Sequence, residues 1–452
     1  MFQPFKTTLP SIPEVIFDVR DYGAVGDGVT VNTKAINAAI EAASEKGGMV
    51  NIPSGVFLTG PIHLLSNVNL HLSDNALVRF VKNEEEWPLI VTDYEGIRRI
   101  RAVSPIHAEY AENFAITGQG TFNANGHEWR PVKQFKQTEK QWAALLKKSP
   151  YVIPNKEGGI WFPSKSAYDA QVAGEIMPAD IPGDGVAPDE ETRAFEEEQL
   201  KKATPGYDLY RPVMMSLRHC KQILLEGVTF EDSPAWCLHP YFCEDLTIKG
   251  ITVFNPYYAQ NGDGIDVESC KNVEIADSHF TTGDDGICLK AGKNATARKV
   301  ANGICENIYI HNCTVGNSHG GFVVGSEMSR GIRNVLVSNC TFTQADVGIR
   351  FKSAMGRGGV VSDIYMEDLN MSDISGEAII LTMNYSLDVN GVKMATVESD
   401  NPEDIPEFKD LYFKNITCFN AGQKLVIKPM PLSDGTESIH DIHFENCPTI
   451  TE

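Results

Sequence analysis

No Cys-x-x-Cys pair occurs among the ten cysteines, which removes the usual zinc and dithiol redox sites. Nor is there an apolar run of about 18 residues, so no membrane-spanning helix is expected. The opening Met-Phe-Gln-Pro-Phe-Lys-Thr-Thr lacks the apolar core of an export signal, and a cytoplasmic location with free, buried thiols follows as the expectation. No Gly/Ser-rich or Pro-rich linker divides the 452 residues. Positive charge is in short supply: 39 Lys and Arg against 60 Asp and Glu leave a net −21, which argues against nucleic acid or an anionic membrane as partner.

What is present is a repeat. From residue 220 onward a polar residue, mostly Asn or Asp, precedes an alternating apolar run: Gln222-Ile223, Asp245-Leu246, Asn272-Val273, Asn307-Ile308, Asn334-Val335, Asp363-Ile364, Asp410-Leu411 and Asp441-Ile442, with an earlier echo at Asn113-Phe114. Successive apolar positions lie 23, 27, 35, 27, 29, 47 and 31 residues apart. Each copy reads as a strand rich in Val, Ile, Thr and Phe, and copies at this period imply stacked units with one continuous core. The architecture expected is all-β, a parallel β-solenoid forming a single domain over 1–452, since a solenoid grows by repetition without splitting. Cys243 and Cys270 fall at equivalent positions of the repeat, Cys220 and Cys305 close to them.

Two regions depart from the β pattern. Residues 31–46 read as an amphipathic helix with an Asn or Thr start, placed within 17–50 to cover the open end of the stack. Residues 130–208 form a long excursion, with helical stretches at 141–148 and 190–202 and a Pro/Gly-rich stretch between. An excursion of this length is read as a lid or wall beside a cleft, with disorder the other reading.

The polar residues cluster in five short stretches: Asn261-Gly262-Asp263, Gly283-Asp284-Asp285-Gly286, Ser318-His319-Gly320-Gly321, Gly325-Ser326-Glu327 and Arg350-Phe351-Lys352. Asp263 to Asp284 is 21 residues, Asp284 to His319 is 35 and His319 to Arg350 is 31, each about one coil. Residues one coil apart lie on neighbouring parallel strands about 5 Å apart, so the stretches stack into one patch. Asp284 and Asp285 would face opposite sides of a regular strand, and the flanking Gly283 and Gly286 supply freedom for a bend. A patch of three aspartates, one histidine and two cations suits hydrolysis of a glycosidic bond in an acidic sugar: one carboxyl protonates the leaving oxygen, another activates water, and the cations hold the sugar's charge.

Asn-x-Asp, Gly-Asp-Asp, a His-Gly and Arg-x-Lys, in this order on this repeat, resemble the signature of the polygalacturonases of glycoside hydrolase family 28. The N-terminal Asp21-Tyr22-Gly23-Ala24-Val25-Gly26-Asp27-Gly28 is similar to the opening of many pectin-acting β-helix proteins, and Gly325-Ser326-Glu327-Met328 resembles bacterial exo-acting members. The family's Gly-His-Gly reads Ser318-His319-Gly320 here, its Thr between Asn and Asp is Gly262, and its Ile between Arg and Lys is Phe351.

The resemblance implies a single-stranded right-handed parallel β-helix that hydrolyses α-1,4-galacturonosidic bonds with inversion. No cofactor or metal is implied. Asp284 would be the general acid, Asp263 and Asp285 would hold and activate water, His319 would support their protonation, and Arg350 and Lys352 would bind a galacturonate carboxylate. Lys290 either touches substrate or neutralises the carboxylates. Glu327 either binds a sugar hydroxyl or forms an ion pair. Trp236 and His239, one coil before Asp263, are candidates for a sugar platform and an adjoining contact, with ordinary packing the other reading of Trp236. Trp129, Tyr257 and Tyr258 are further candidates.

The expected partner is a pectic oligosaccharide, cut from its non-reducing end. The net charge opposes a polyanion at long range, while His319, Arg350, Lys352 and Lys290 reverse the sign within about a Debye length. A calcium-dependent lyase using the same carboxylates for metal, a non-catalytic carbohydrate-binding solenoid, and rhamnogalacturonan or xylogalacturonan as substrate stay open at this stage.

Overall fold

The computed structural model describes all residues except 84, 174–180, 182–188, 386, 387, 390, 391, 394–398, 400, 433, 434 and 452. Most of the Pro/Gly-rich stretch expected inside the excursion therefore lies outside the described residues. The chain winds as a right-handed parallel β-helix whose strands form one 30-stranded sheet. Each coil contributes a strand to each of three ladders. In the coils that carry the site, the first ladder runs through Lys271–Ala276 and Cys305–His311, the second through His279–Thr281 and Thr314–Gly316, and the third through Ile265–Glu268, Asp285–Lys290, Gly320–Gly325 and Val347–Lys352.

The repeat read from the sequence is the register of the first ladder. Phe114, Ile223, Leu246, Val273, Ile308, Val335, Ile364, Leu411 and Ile442 pair in that order, each with the next. The reason lies in the residue before each one. Asn113, Gln222, Asp245, Asn272, Asn307, Asn334, Asp363, Asp410 and Asp441 all sit at φ between 52° and 59°. Asn and Asp tolerate this left-handed turn best among residues with a side chain. Their amides also bridge the coils: Asn272 Nδ2 donates to Asp245 Oδ1 at 3.0 Å, Asn307 to Asn272 at 2.9 Å and Asn334 to Asn307 at 2.8 Å. A second turn carries the same device at Asp277, Asn312 and Asn339.

Inside, like stacks on like. Phe80, Phe122 and Phe230 form a column with centroids 6.4 and 5.5 Å apart. Cys220, Cys243, Cys270 and Cys305 follow one another in register, all unpaired and buried, so the four are fully equivalent. A thiol suits this tight inward corner as a small apolar group.

The helix expected at 31–46 is Thr33–Lys46 and buries Ile36, Ala39, Ile40 and Ala43 against the first coil. Asn32, at its start, spends its amide on the carbonyls of Val25, Thr30 and Leu58. The excursion holds the two helices expected, Glu139–Lys148 with a Thr138/Gln141 capping box and Glu190–Ala203 with Asp189 as cap. It also holds a third helix, Lys165–Ala173, and a small antiparallel sheet. A further hairpin, Leu89–Tyr94 with Ile97–Ala102, interrupts the coils and had no counterpart in the repeat pattern.

The asparagine bridge makes a measurable contribution. Asn307→Ala removes two hydrogen bonds of about 1 kcal/mol each and places alanine in a left-handed turn at a cost of about 1 kcal/mol. Chemical denaturation is expected to show a loss of about 3 kcal/mol, with Asn307→Gly recovering the backbone share.

Candidate active site

The third ladder builds the site. Continuing its register into the preceding turns, where Cys237 N–H donates to the Asp263 carbonyl and Gly264 N–H to that of Asp285, both at 2.9 Å, places Trp236, Asp263 and Asp285 at equivalent positions of three successive coils. Asp285 then pairs with Gly320 and Gly320 with Val347. Asp284 precedes this column and is held by its own carbonyl, which accepts from the His319 N–H at 3.0 Å and the Thr282 hydroxyl at 2.7 Å. The stacking expected for the motifs around Asp263, Asp284, His319 and Arg350 is thus observed, Arg350 pairing with Val323 and Lys352 with Gly325 on the coil of His319.

The glycines around the Asp pair act differently from the expectation. Neither Gly283 nor Gly286 has a positive φ; a Cβ on Gly283 would lie 2.4 Å from the Ala259 carbonyl, and one on Gly286 2.3 Å from Val315. They are required by close approach of backbone and core, not for a bend.

One oxygen from each of Asp263, Asp284 and Asp285 lies within 4.8 Å of the others. Exposure divides them. Asp263 and Asp285 are 4% and 1% exposed, whereas the Asp284 side chain is 24% exposed and faces the open surface with His319. Lys352 Nζ pairs with Asp285 Oδ2 at 2.7 Å. His319 Nδ1 stands 3.3 Å from Asp284 Oδ1, and its Nε2 stands 3.7 Å from Asp346.

The charges sort accordingly. Burial, reinforced by Asp266, Asp284 and Asp285, pushes the Asp263 carboxyl well above the usual carboxylate range. Burial also acts to raise Asp284, yet His319, Lys352 and Lys136 outweigh it and hold that carboxyl low. Between these two carboxyls, a proton is favoured on the buried Asp263.

Around the trio, Arg350 and Lys352 both lie against the ring of Tyr385, with Arg350 Cζ 5.5 Å and Lys352 Nζ 5.1 Å from its centroid. Lys290 is buried and neutralises carboxylates, one of the two readings left open: it pairs with Glu327 at 3.1 Å and Asp266 at 3.6 Å. Glu327 is thus the partner of a buried ion pair and not a surface one, and Lys290 with Arg357 holds its carboxyl low against the effect of burial.

His239 and Trp236 are enclosed. His239 Nε2 meets Glu268 at 2.9 Å with 1% exposure, and Trp236 is packed beneath Tyr94, centroids 4.3 Å apart, with Lys290 Nζ 4.9 Å from its ring. Packing is the observed role of Trp236, and neither residue offers a free face. Trp129 is likewise buried against Trp87 and Tyr207, away from the carboxylates. Tyr257 is 47% exposed, and Tyr258 lines a cavity of about 740 Å³ between the helix Glu139–Lys148 and the coil edge, beside the carboxylates and lined by none of them.

Lys136, Tyr385, Arg211 and Asp346 were missed by the sequence reading. Tyr385 follows Lys352 by 33 residues, close to one coil, and the repeat held that signal. Arg211, which donates to Asn261 Oδ1 at 2.9 Å, and Lys136, whose Nζ lies 2.9 Å from His319 Nε2, come from segments outside the repeat.

Asp263→Asn is expected to separate stability from chemistry. A carboxyl whose folded pKa is raised stabilises the fold while protonated and loses that contribution as pH rises from about 3.8 through the folded value. At pH 7 the variant should therefore unfold at a higher temperature than the parent, the gap closing below about pH 3.8, while turnover falls by about 10²-fold or more. Thermal unfolding across pH checks the first and a reducing-end assay the second.

Comparison with known proteins fits this geometry. The description Glycosyl hydrolases family 28 matches residues 154–429, more than half of the chain, and Rhamnogalacturonase A/epimerase, pectate lyase-like matches residues 16–71. An exo-poly-alpha-D-galacturonosidase of Dickeya chrysanthemi is 28% identical over 91% of this chain, which spans 63% of that protein's length. The crystal structure of a hyperthermoactive exopolygalacturonase from Thermotoga maritima is similar with a TM-score of 0.72 and 28% identity over 98% of this chain and 88% of that one. A family 28 exopolygalacturonase of Yersinia enterocolitica shares the fold, with a TM-score of 0.68 at 22% identity, covering 96% of this chain and 76% of that one. The chain belongs to glycosyl hydrolases family 28.

Proposed function

We propose that this protein hydrolyses α-1,4 bonds between galacturonate units and releases single galacturonic acid residues from the non-reducing end of short oligomers. The observation that carries the reading is the carboxylate trio with Arg350 and Lys352 two to three coils away on the same ladder. Three acids alone would repel a uronate. The two cations beside Tyr385 supply a seat for its carboxylate, and bidentate or paired charge-assisted hydrogen bonds are the strong ones.

Asp284, the one carboxyl of the trio open to the surface, is the proton donor to the leaving oxygen. In the free protein it is ionised, so its proton must arrive with substrate. A uronate carboxylate at Arg350 and Lys352 weakens the cationic hold on Asp284 and raises its proton affinity, and Asp263 lies close enough to give up the shared proton. Asp263 and Asp285, with oxygens within 4.8 Å, can both hydrogen-bond one water at about 2.8 Å. This spacing is shorter than the about 6.5–9.5 Å common among inverting glycosidases. Inversion is supported instead by the locked floor: Asp285 is buried and pinned by Lys352, and is not free to attack the sugar.

Exo attack is supported by the hairpin Leu89–Ala102, which lays Tyr94 over Trp236 on the coil before Asp263, and by the excursion reaching His319 through Lys136. The names of the Dickeya and Thermotoga relatives point the same way. Ten unpaired cysteines support a reducing compartment, the cytoplasm.

Asp284→Asn keeps the shape and removes the donor, and kcat on trigalacturonate is expected to fall about 10²–10⁴-fold with KM little changed. Proton NMR of the first product should show the β anomer; the α anomer would mean retention.

Mode and chemistry are read together on polygalacturonate. Galacturonic acid is expected as the first product with viscosity falling slowly, without the ultraviolet absorbance of an unsaturated uronide and without loss of activity in EDTA. Early mixed oligomers with a rapid viscosity drop would establish an open cleft, and ultraviolet-absorbing products sensitive to EDTA would establish a lyase.

A further inference from the structure

Lys136 stands at the end of the turn Gln134–Lys136 in the inserted segment, and its ammonium makes three contacts. It donates to the carbonyls of Tyr257 at 3.3 Å and Gly283 at 3.4 Å, and lies 2.9 Å from His319 Nε2. Its Nζ is also 4.8 Å from the Tyr257 ring centroid. Two of its N–H groups are committed to oxygens that only accept. The third meets the imidazole on the side away from Asp284.

An imidazolium carries hydrogen on both nitrogens, and two positive charges at 2.9 Å repel. An ammonium at this distance needs the lone pair of Nε2, which leaves the imidazole proton on Nδ1, the nitrogen 3.3 Å from Asp284 Oδ1. The inserted segment thereby touches His319 on the side away from Asp284, and its ammonium acts on the Asp284 carboxyl only through its charge.

We propose that Lys136 is a positioning residue that sets the tautomer of His319 and restrains its protonation, and so fixes the N–H that His319 presents to Asp284. The proposal rests on the hydrolase reading of the trio. With Lys136 seated, the Nε2 lone pair is engaged and Asp284 faces the Nδ1–H of His319. Without Lys136, Nε2 is free to carry a proton toward Asp346, and neither tautomer of His319 is selected.

The groups that face this pair pull in both directions. On His319, burial and Lys136 oppose protonation, while Asp284 and Asp285 favour it and leave its affinity above the usual histidine value. On Lys136, burial and Lys133 favour the neutral form, while Asp284 and Asp346 favour the charged one. Lys136 is the cation that restrains His319, so its removal moves the titration of His319 to higher pH.

The experiment uses the full-length protein with ¹⁵N-labelled histidine, His319 being assigned from the His319→Gln spectrum. Long-range proton–nitrogen spectra of the parent are expected to show the Nδ1–H form above the titration of His319. In Lys136→Met, the titration should move to higher pH and the Nε2–H form should appear. On trigalacturonate, kcat at neutral pH should fall about tenfold with KM little changed. Lys136→Arg, which keeps charge and donor, should restore both readouts, and circular dichroism confirms that the variants are folded. An unmoved titration and tautomer in Lys136→Met would overturn the proposal whatever happens to activity. The spectra need no turnover, so absence of galacturonate hydrolysis by the parent would sink the hydrolase reading separately.

Discussion

Everything in this molecule depends on the parallel register between coils. Once Ile223, Leu246, Val273 and their successors pair, every other position of the coil is fixed at about 5 Å from its equivalents above and below. Side chains at equivalent positions must then be compatible with one another. Asparagines bridge, phenylalanines stack and thiols nest because each column selects one kind of contact. The active site is a column in which the same constraint brings acids together, and the energy that holds them in contact comes from the hundreds of ladder bonds and buried side chains elsewhere.

Acids forced together must be compensated, and the compensation is also vertical. Lys290 and Lys352 occupy equivalent positions of the third ladder, separated by Gly325. One neutralises Glu327 and Asp266, the other Asp285. A buried pair of this kind contributes little net stability, while removing one partner leaves an uncompensated charge. On the proposed reading, this local set of cations lets a chain of net charge −21 receive a polyanion. Repulsion acts over the whole surface and is screened by salt, whereas the seat formed by Arg350, Lys352 and Tyr385 acts at contact distance.

The two interruptions of the coil give the site its sides. The hairpin Leu89–Ala102 lays Tyr94 over Trp236, and the segment between residues 130 and 208 brings Lys136 to His319. Both come from early in the chain and meet residues well over a hundred positions later. The coils set the chemistry, and the insertions set what surrounds it.

The repeat was legible from the sequence because its cause is local: a left-handed turn selects Asn or Asp, and the run after it must alternate to fill a core on one side. From that alone the register and the stacking of Asp263, Asp284, Asp285, His319, Arg350 and Lys352 follow, while the capping helix was legible from its own amphipathic period. Residue type and spacing were enough because a solenoid converts sequence distance directly into height. Contacts across the coil surface obey no such conversion. That Trp236 and His239 are enclosed, that Lys290 and Glu327 neutralise each other, and that Lys136 stands behind His319 depended on how side chains and insertions pack over the third ladder. The proton's place on Asp263 and not Asp284 was decided there too, because burial and the positions of neighbouring charges are properties of three dimensions.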